Sequence, residues 1–267
     1  MASIAENAGV TVHVSACPAG TPVDAPRAVA GRDEYEVCLV RRGCFSYRDR
    51  RGRVLADPAT CILGAPGQHG EVSHPAPGGD QDLMVFLSPG VFATLAAGEE
   101  RVPLAAAVTP RMQVTHRRLL AAARTDPDPM VLQEMALDLV ATALGQAEPA
   151  RVAAGRPATR RARRQLVEDA RVLLAADPAI ATVTELAARL CCSPHHLSRI
   201  FAAHTGISLG AYRTRLRLNL ALEYLAEDRL PVAEVAARCG FADHGHLTRT
   251  VRRHVGDTPA RLRALLG

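Results

Sequence analysis

The sequence has no lysine: all 32 of its basic residues are arginine. Genome composition explains that as readily as selection for guanidinium chemistry, so it excludes little. Two other absences exclude more. No apolar run approaches the ~20 residues needed to span a bilayer, and the N-terminus lacks a charged-then-apolar export pattern. The expectation is a soluble, cytoplasmic protein with no membrane partner. Without an export signal, the seven cysteines, an odd number, are expected as reduced thiols rather than as a disulfide framework.

A chain of 267 residues, 48% apolar, is long enough for two cores and is expected to form two domains. Its charge is divided unevenly. Residues 160–267 carry 17 Arg against 10 acidic residues, whereas residues 1–159 carry 15 against 17, so the excess behind the net +5 lies in the C-terminal part. A surface that must neutralise phosphates needs such a bias; a solvated basic face would show it too.

The first 30 or so residues are rich in Ala, Pro, Gly and Val and show no clear period. From Tyr35 short apolar runs alternate with turn residues, and Val37–Val40, Cys44–Arg48, Arg53–Ala56, Thr60–Leu63 and Leu83–Leu87 read as strands of a small antiparallel barrel or sandwich. Helical character follows Ser88-Pro89. Val91–Ala97, Arg111–Arg124 and Met130–Gly145 are expected as helices, the last two separated by Asp126-Pro-Asp-Pro129. Their apolar stripes (Met112, Thr115, Leu119 and Ala122; Leu132, Met135, Leu139 and Ala143) suit either a core or a dimer face. Residues 149–164 lack periodicity and read as a linker ending in Arg160-Arg-Ala-Arg-Arg164, a solvated run that could add a phosphate contact.

Between Thr184 and Pro259 the chain says nearly the same thing twice. Glu185-Leu-Ala-Ala-Arg189, a turn, and Ser193-Pro-His-His-Leu-Ser-Arg-Ile-Phe201 match Glu234-Val-Ala-Ala-Arg238, a turn, and Asp243-His-Gly-His-Leu-Thr-Arg-Thr-Val251. The offset is 49 residues before the turn and 50 after it, so the second turn is one residue longer. Ser193 before Pro194, and Asp243, read as N-caps. Leu186, Ala187 and Leu190, with Leu197, Ile200 and Phe201, would be buried in the first copy. Val235, Ala236 and Cys239, with Leu247, Thr250 and Val251, would be buried in the second. His195, Ser198 and Arg199, and His244, His246, Thr248 and Arg249, then face outward, as side chains that read base edges in a major groove must. A helix over 208–227 joins the copies; at ~1.5 Å per residue it spans roughly 30 Å, close to the ~34 Å of one DNA turn.

These residues resemble the AraC/XylS family of bacterial transcription regulators, over about Leu166 to Leu265. The most specific stretch is Cys239-Gly-Phe-Ala-Asp-His-Gly-His-Leu-Thr-Arg-Thr-Val-Arg-Arg-His-Val-Gly-Asp-Thr-Pro259. The resemblance implies double-stranded DNA as partner, with base contacts at His195, Ser198, Arg199, His244, Gly245, His246, Thr248 and Arg249. The sequence departs from the pattern at three places: Gly245 for a polar residue, Val251 for a Phe, and Cys191 for a turn Gly. Gly245 and the longer second turn lead to the expectation that the first copy reads bases more fully than the second. The N-terminal part resembles the family's cupin-like sensor barrel, with turns at Val40-Arg-Arg-Gly43 and Pro66-Gly-Gln-His69. The implied fold class is α+β: a small cupin-like β-barrel with flanking helices over 1–148, a linker over 149–164, and an all-α domain with two helix-turn-helix units over 165–267. The resemblance also implies a small-molecule effector and a homodimer through helices in 110–146.

A metal-binding cupin would show a His-x-His plus Glu cluster, and residues 1–148 have none; no metal and no cofactor is expected. Cys38, Cys61 and His69 are the candidate effector residues. A second reading is a thiol- or metal-responsive regulator using His13, Cys17, Cys38, Cys44, Cys61, His69 and His74, with Cys38 and Cys44 across one hairpin; their spacing matches no common zinc pattern, and buried cysteines acting as small apolar residues explain them as well. An enzyme using His69, Glu71 and His74 as acid–base groups is the third. Those residues sit in a Pro/Gly-rich loop without a nucleophile motif, so the expectation is a non-enzyme.

Overall fold

The computed structural model describes residues 2–18, 23–96, 102–125, 128–146, 157–180, 182–227 and 230–267. Its strands are β1 (Ala2–Asn7), β2 (Val10–Cys17), β3 (Arg27–Val29), β4 (Tyr35–Gly43), β5 (Phe45–Asp49), β6 (Gly52–Ala56), β7 (Thr60–Gly64), β8 (Gly70–Ser73), β9 (Asp80–Leu87) and β10 (Ala105–Ala107). Its helices are α1 (Pro89–Leu95), α2 (Pro110–Ala122), α3 (Pro129–Gly145), α4 (Pro157–Ala176), α5 (Val183–Arg189), α6 (Pro194–Thr205), α7 (Leu209–Glu227), α8 (Val232–Arg238), α9 (His244–Val255) and α10 (Pro259–Leu266). The class is α+β, with the sheets in the N-terminal part and a helical C-terminal part.

Two antiparallel sheets face each other, one ordered β1-β2-β9-β4-β7-β10 and the other β3-β8-β5-β6. Period-two alternation divides the larger sheet between two cores. Val10, Val12, Val37, Leu39, Leu83, Val85 and Leu87 point toward α2 and α3. Cys38, Val40, Ile62 and Met84 point the other way, and with Phe45, Tyr47, Val54, Ala56 and Val72 they fill the space between the sheets. All five expected strands are present. The first 30 residues, read as patternless, also contribute: β2 pairs with β9 along its whole length, from Val10↔Leu87 to Cys17↔Asp80.

The linker reading needs correction in its second half. Residues 157–164, including the arginine run, are the opening turns of α4; residues 149–156 lie outside the described residues, as do Ala97, Asp126 and Pro127. Helix α2 also differs from a one-striped helix. Gln113, Val114, His116 and Arg117 are buried along with Met112 and Leu119, because α3 and the sheet lie on one side of it and α7, α9 and α10 on the other. A helix enclosed on both sides must bury polar residues or be apolar all round, and α2 buries them.

Candidate nucleic-acid interface

The two helix-turn-helix units form as their local chemistry dictates. The Ser193 hydroxyl accepts from the backbone N–H of His196 at 3.2 Å, and the Asp243 carboxylate accepts from that of His246 at 2.6 Å. Each bond satisfies one of the free N–H groups of a first turn, worth about 1 kcal/mol. Pro194 occupies the first turn of α6, and both second helices end on a left-handed glycine, Gly206 and Gly256. Even a surface pair repeats: Arg189 to Glu185 at 2.6 Å, Arg238 to Glu234 at 2.7 Å.

The first unit closes over Leu186, Ala187, Leu197, Ile200 and Phe201, the second over Val235, Ala236, Cys239, Leu247 and Val251. Leu190 and Thr250 are only half-buried, and the Thr250 hydroxyl is turned onto the carbonyl of His246. Helix α7 serves both cores: Leu209, Tyr212 and Leu216 enter the first, and Leu218, Ala221, Leu222 and Leu225 the second. At ~1.5 Å per residue its 19 residues extend about 28 Å, so the spacing between the units is held by one rigid rod packed at both ends.

The left-handed turn position separates the copies. Cys191 has φ +51° and its counterpart Gly240 has φ +72°. Every side chain disfavours that region except where a local bond compensates, so the cysteine stands at a strained site that glycine fills without cost in the second copy.

His195, Arg199, His244, His246 and Arg249 are exposed, while Ser198, Gly245 and Thr248 are half-buried. All eight lie on α6 or α9, but they are not equally free. The Thr248 hydroxyl bonds back to the carbonyl of His244 at 2.8 Å. His246 stacks edge-on against Phe241 with centroids 5.3 Å apart, and its Nδ1 accepts from the N–H of Ala242 at 3.4 Å. Arg249 folds toward the start of its own helix: a Cβ added at Gly245 would lie 3.1 Å from its Nη1 and 3.1 Å from Asp243 Oδ1. The backbone N–H of His246, with Arg249 adding, lowers the Asp243 carboxyl below its usual range.

The candidate sensor residues do not converge. Cys38 lies between the sheets, and Cys61 lies on the opposite face of the larger sheet, its Sγ 3.5 Å from the carbonyl oxygen of Ala106. His69 is exposed in the β7–β8 turn and accepts from the N–H of Gly31 at 3.2 Å. Burial pushes the Cys38 thiol well up and the Cys61 thiol up to about 12, so neither is poised as a thiolate. Cys44 does not face Cys38 across a hairpin; it packs with Leu55 and Ala175 under α4. His69 and His74 sit at opposite ends of β8, so the acid–base trio with Glu71 is not assembled.

Two sets of contacts that the sequence reading missed join the sheets to the helical part. Asp57, fully buried, accepts from Arg171 Nη2 at 2.6 Å and from the Tyr212 hydroxyl, and Arg171 also reaches the carbonyl of Leu55 and the hydroxyl of Thr60, each at 2.8 Å. Burial opposes the Arg171 charge, but Asp57 and Tyr212 outweigh it and hold the guanidinium more firmly protonated. In the second set, Glu223 of α7 receives Arg117 of α2 and Arg42 Nε at 3.2 Å, and Glu227 receives Arg41 Nη1 at 2.9 Å and Arg42 Nη2 at 3.2 Å. Arg117 also donates to Asn219 Oδ1 at 2.9 Å and Gln113 Oε1 at 2.7 Å. The helix that spaces the two helix-turn-helix units is thus also the helix the N-terminal part grips.

A helix-turn-helix domain family matches residues 186–264. Among curated proteins, an HTH-type transcriptional regulator of Mycobacterium tuberculosis is 37% identical over 81 residues, 30% of this chain and 31% of that one. The arabinose operon regulatory protein of Escherichia coli is 32% identical over 82 residues, 31% of this chain and 28% of that protein. The chain thus spans under a third of the length of either relative. Among solved structures, the DNA-binding domain of the transcriptional factor AdpA in complex with a target DNA shares 32% identity over 37% of this chain and 89% of its own, with a TM-score of 0.34. ToxT from Vibrio cholerae shares 9% identity over 98% of this chain and 100% of its own, with a TM-score of 0.40.

Proposed function

We propose, for a chain whose C-terminal domain is of the AraC/XylS helix-turn-helix type, that the protein is a transcription regulator that reads two segments of double-stranded DNA one helical turn apart. The observation that carries this reading is the pair of capped helices, α6 and α9, each turning a polar face to solvent and both anchored on α7. His195, Ser198 and Arg199 read the first segment, and His244, Gly245, His246, Thr248 and Arg249 the second. Residues 1–148 form the sensor part, and a small-molecule effector acts there by binding one arrangement of the grip on α7 better than another. The protein works in the cytoplasm and is not an enzyme.

The homodimer assigned to 110–146 has less surface to use than the sequence suggests, since α2 is enclosed within its own chain. The outer face of α3, with Met130 and Val131 exposed, carries that part of the reading.

Selection of bound sites from a random DNA library, followed by titration, tests the proposal. Arg199→Ala and Arg249→Ala are each expected to relax selectivity in a different half of the site, at about 1–3 kcal/mol for a bidentate base contact. Unchanged affinity and selectivity in both variants would refute two reading units.

A further inference from the structure

The cross-strand pair Cys17↔Asp80 joins β2 to β9, and Ser15↔Asp82 follows two residues along. The period of two therefore places Cys17, Asp80 and Asp82 on one face. The β8–β9 loop returns His74 to the same spot. Its Nε2 is 2.5 Å from Asp80 Oδ1, and one ligand atom each from Cys17, His74 and Asp80 lies within 4.8 Å of the other two. The loop can close this tightly because residue 79 is glycine. At its φ of +69° a Cβ would stand 1.9 Å from the carbonyl oxygen of Cys17.

We propose that Cys17, His74 and Asp80 form a site for a divalent first-row metal ion, zinc in the first instance. A thiolate, an imidazole and a carboxylate are a donor set such an ion accepts in tetrahedral geometry. Bond lengths of about 2.0–2.3 Å place the donors roughly 3.3–3.8 Å apart, so the cluster needs shifts of at most about 1 Å, with His74 and Asp80 parting. Binding displaces the Cys17 thiol proton to solvent and replaces the His74–Asp80 hydrogen bond. A second observation points the same way. Asp82, 4% exposed, borders Asp80, and its Oδ1 has no hydrogen-bond partner. Among the described residues no arginine ion-pairs with either carboxylate, so His74 beside Asp80 is the one cationic partner two adjacent buried acids have there, an arrangement a metal cation resolves. Asp82 lies outside that cluster and adds negative charge beside Asp80, which leaves the fourth position to water.

The site stands whether or not the chain reads DNA as proposed. Its location adds interest, because Gln81, between the two carboxylates, accepts from Arg41 at 2.5 Å, and Arg41 belongs to the grip on α7. A bound ion would sit one residue from that network.

Full-length protein stripped with a chelator is titrated with cobalt(II), and then with zinc in competition. The expected result is one equivalent bound, with thiolate-to-cobalt absorption that zinc abolishes and that Cys17→Ser and His74→Ala lack. Cys191→Ser, altering an exposed thiol elsewhere, should retain it. The unaltered chain provides a second readout that needs no variant to fold: one equivalent of zinc should slow alkylation of Cys17, mapped by mass spectrometry, at least tenfold while leaving Cys191 unchanged. No stoichiometric binding, no protection of Cys17, or a cobalt signal that survives Cys17→Ser would each overturn the site.

Discussion

Replacing Glu223 by alanine tests the grip between the sheets and α7 where it is most enclosed. Glu223 is 1% exposed and its partner Arg117 is 3% exposed, so neither charge has water to fall back on. Removing one member of a buried pair typically costs 3–5 kcal/mol, because the other is left without a countercharge. Here Asn219 and Gln113 still surround Arg117 with neutral acceptors, which places the expected loss near the low end, about 3 kcal/mol. For a chain of this size that is a fall in midpoint of about 6–12 °C. Glu223→Gln keeps the shape and should lose roughly half as much. Glu227→Ala should cost under about 1 kcal/mol, because its side chain is one-third exposed and water screens it. The discriminating variant is the double exchange Arg117→Met with Glu223→Leu, which removes both charges together and should recover most of the loss. Urea denaturation of the four variants supplies the energies. A loss under 1 kcal/mol for Glu223→Ala, or a double variant no more stable than the single, would mean that the pair is not buried as described.

Three other outcomes follow from particular residues. His116 is wholly buried with neither ring nitrogen hydrogen-bonded, and burial, with Arg117 and Arg41 adding, depresses its pKa well below 6.5. The unfolded chain therefore takes up that proton first. The stability is full above about 6.5 and falls by about 1.4 kcal/mol per pH unit below it, so the wild-type curve should drop relative to His116→Leu between pH 6.5 and 5 in urea titrations; parallel curves would rule the histidine out. Cys191→Gly removes a side chain from a φ of +51° and should stabilise the C-terminal domain by about 1 kcal/mol in thermal denaturation, whereas a loss would show that the thiol makes a compensating contact. Sedimentation at micromolar concentration should give a dimer that Met130→Glu with Val131→Glu dissociates; a monomeric parent protein would remove α3 as an interface.

The parts legible in the sequence are those whose causes are local. A Ser-Pro or Asp cap, a left-handed turn and an apolar period of 3.6 lie within a dozen residues, and repetition of the whole set at Glu185–Phe201 and Glu234–Val251 made each copy a check on the other. β2 was missed although Val10, Val12 and Val14 alternate with polar residues, because Ala, Pro and Gly around it dilute the pattern over any longer window. The grip on α7 was beyond reach. Arg117 and Glu223 are 106 residues apart, and Asp57 and Tyr212 are 155 apart, and no period or spacing signals that two charges so distant will meet. The same holds for Cys17, His74 and Asp80. Their separations match no common metal pattern, and only the register of β2 on β9 brings the first and last together.

The glycine at 245 changes how the second unit presents its side chains. In the first unit no hydrogen bond or ion pair holds Arg199 among the described residues, so the base contact proposed for its guanidinium would displace none. In the second, the missing side chain at Gly245 leaves a space that the Arg249 guanidinium occupies, close to the capping carboxylate of Asp243. To contact DNA as proposed, Arg249 would have to leave that position, and the Thr248 hydroxyl and His246 Nδ1 are already engaged on backbone groups. Under the proposed DNA reading, an equal set of base contacts would be worth less net free energy at α9 than at α6, by the interactions that α9 must first give up. The inequality proposed between the units would then lie in where Arg249 rests.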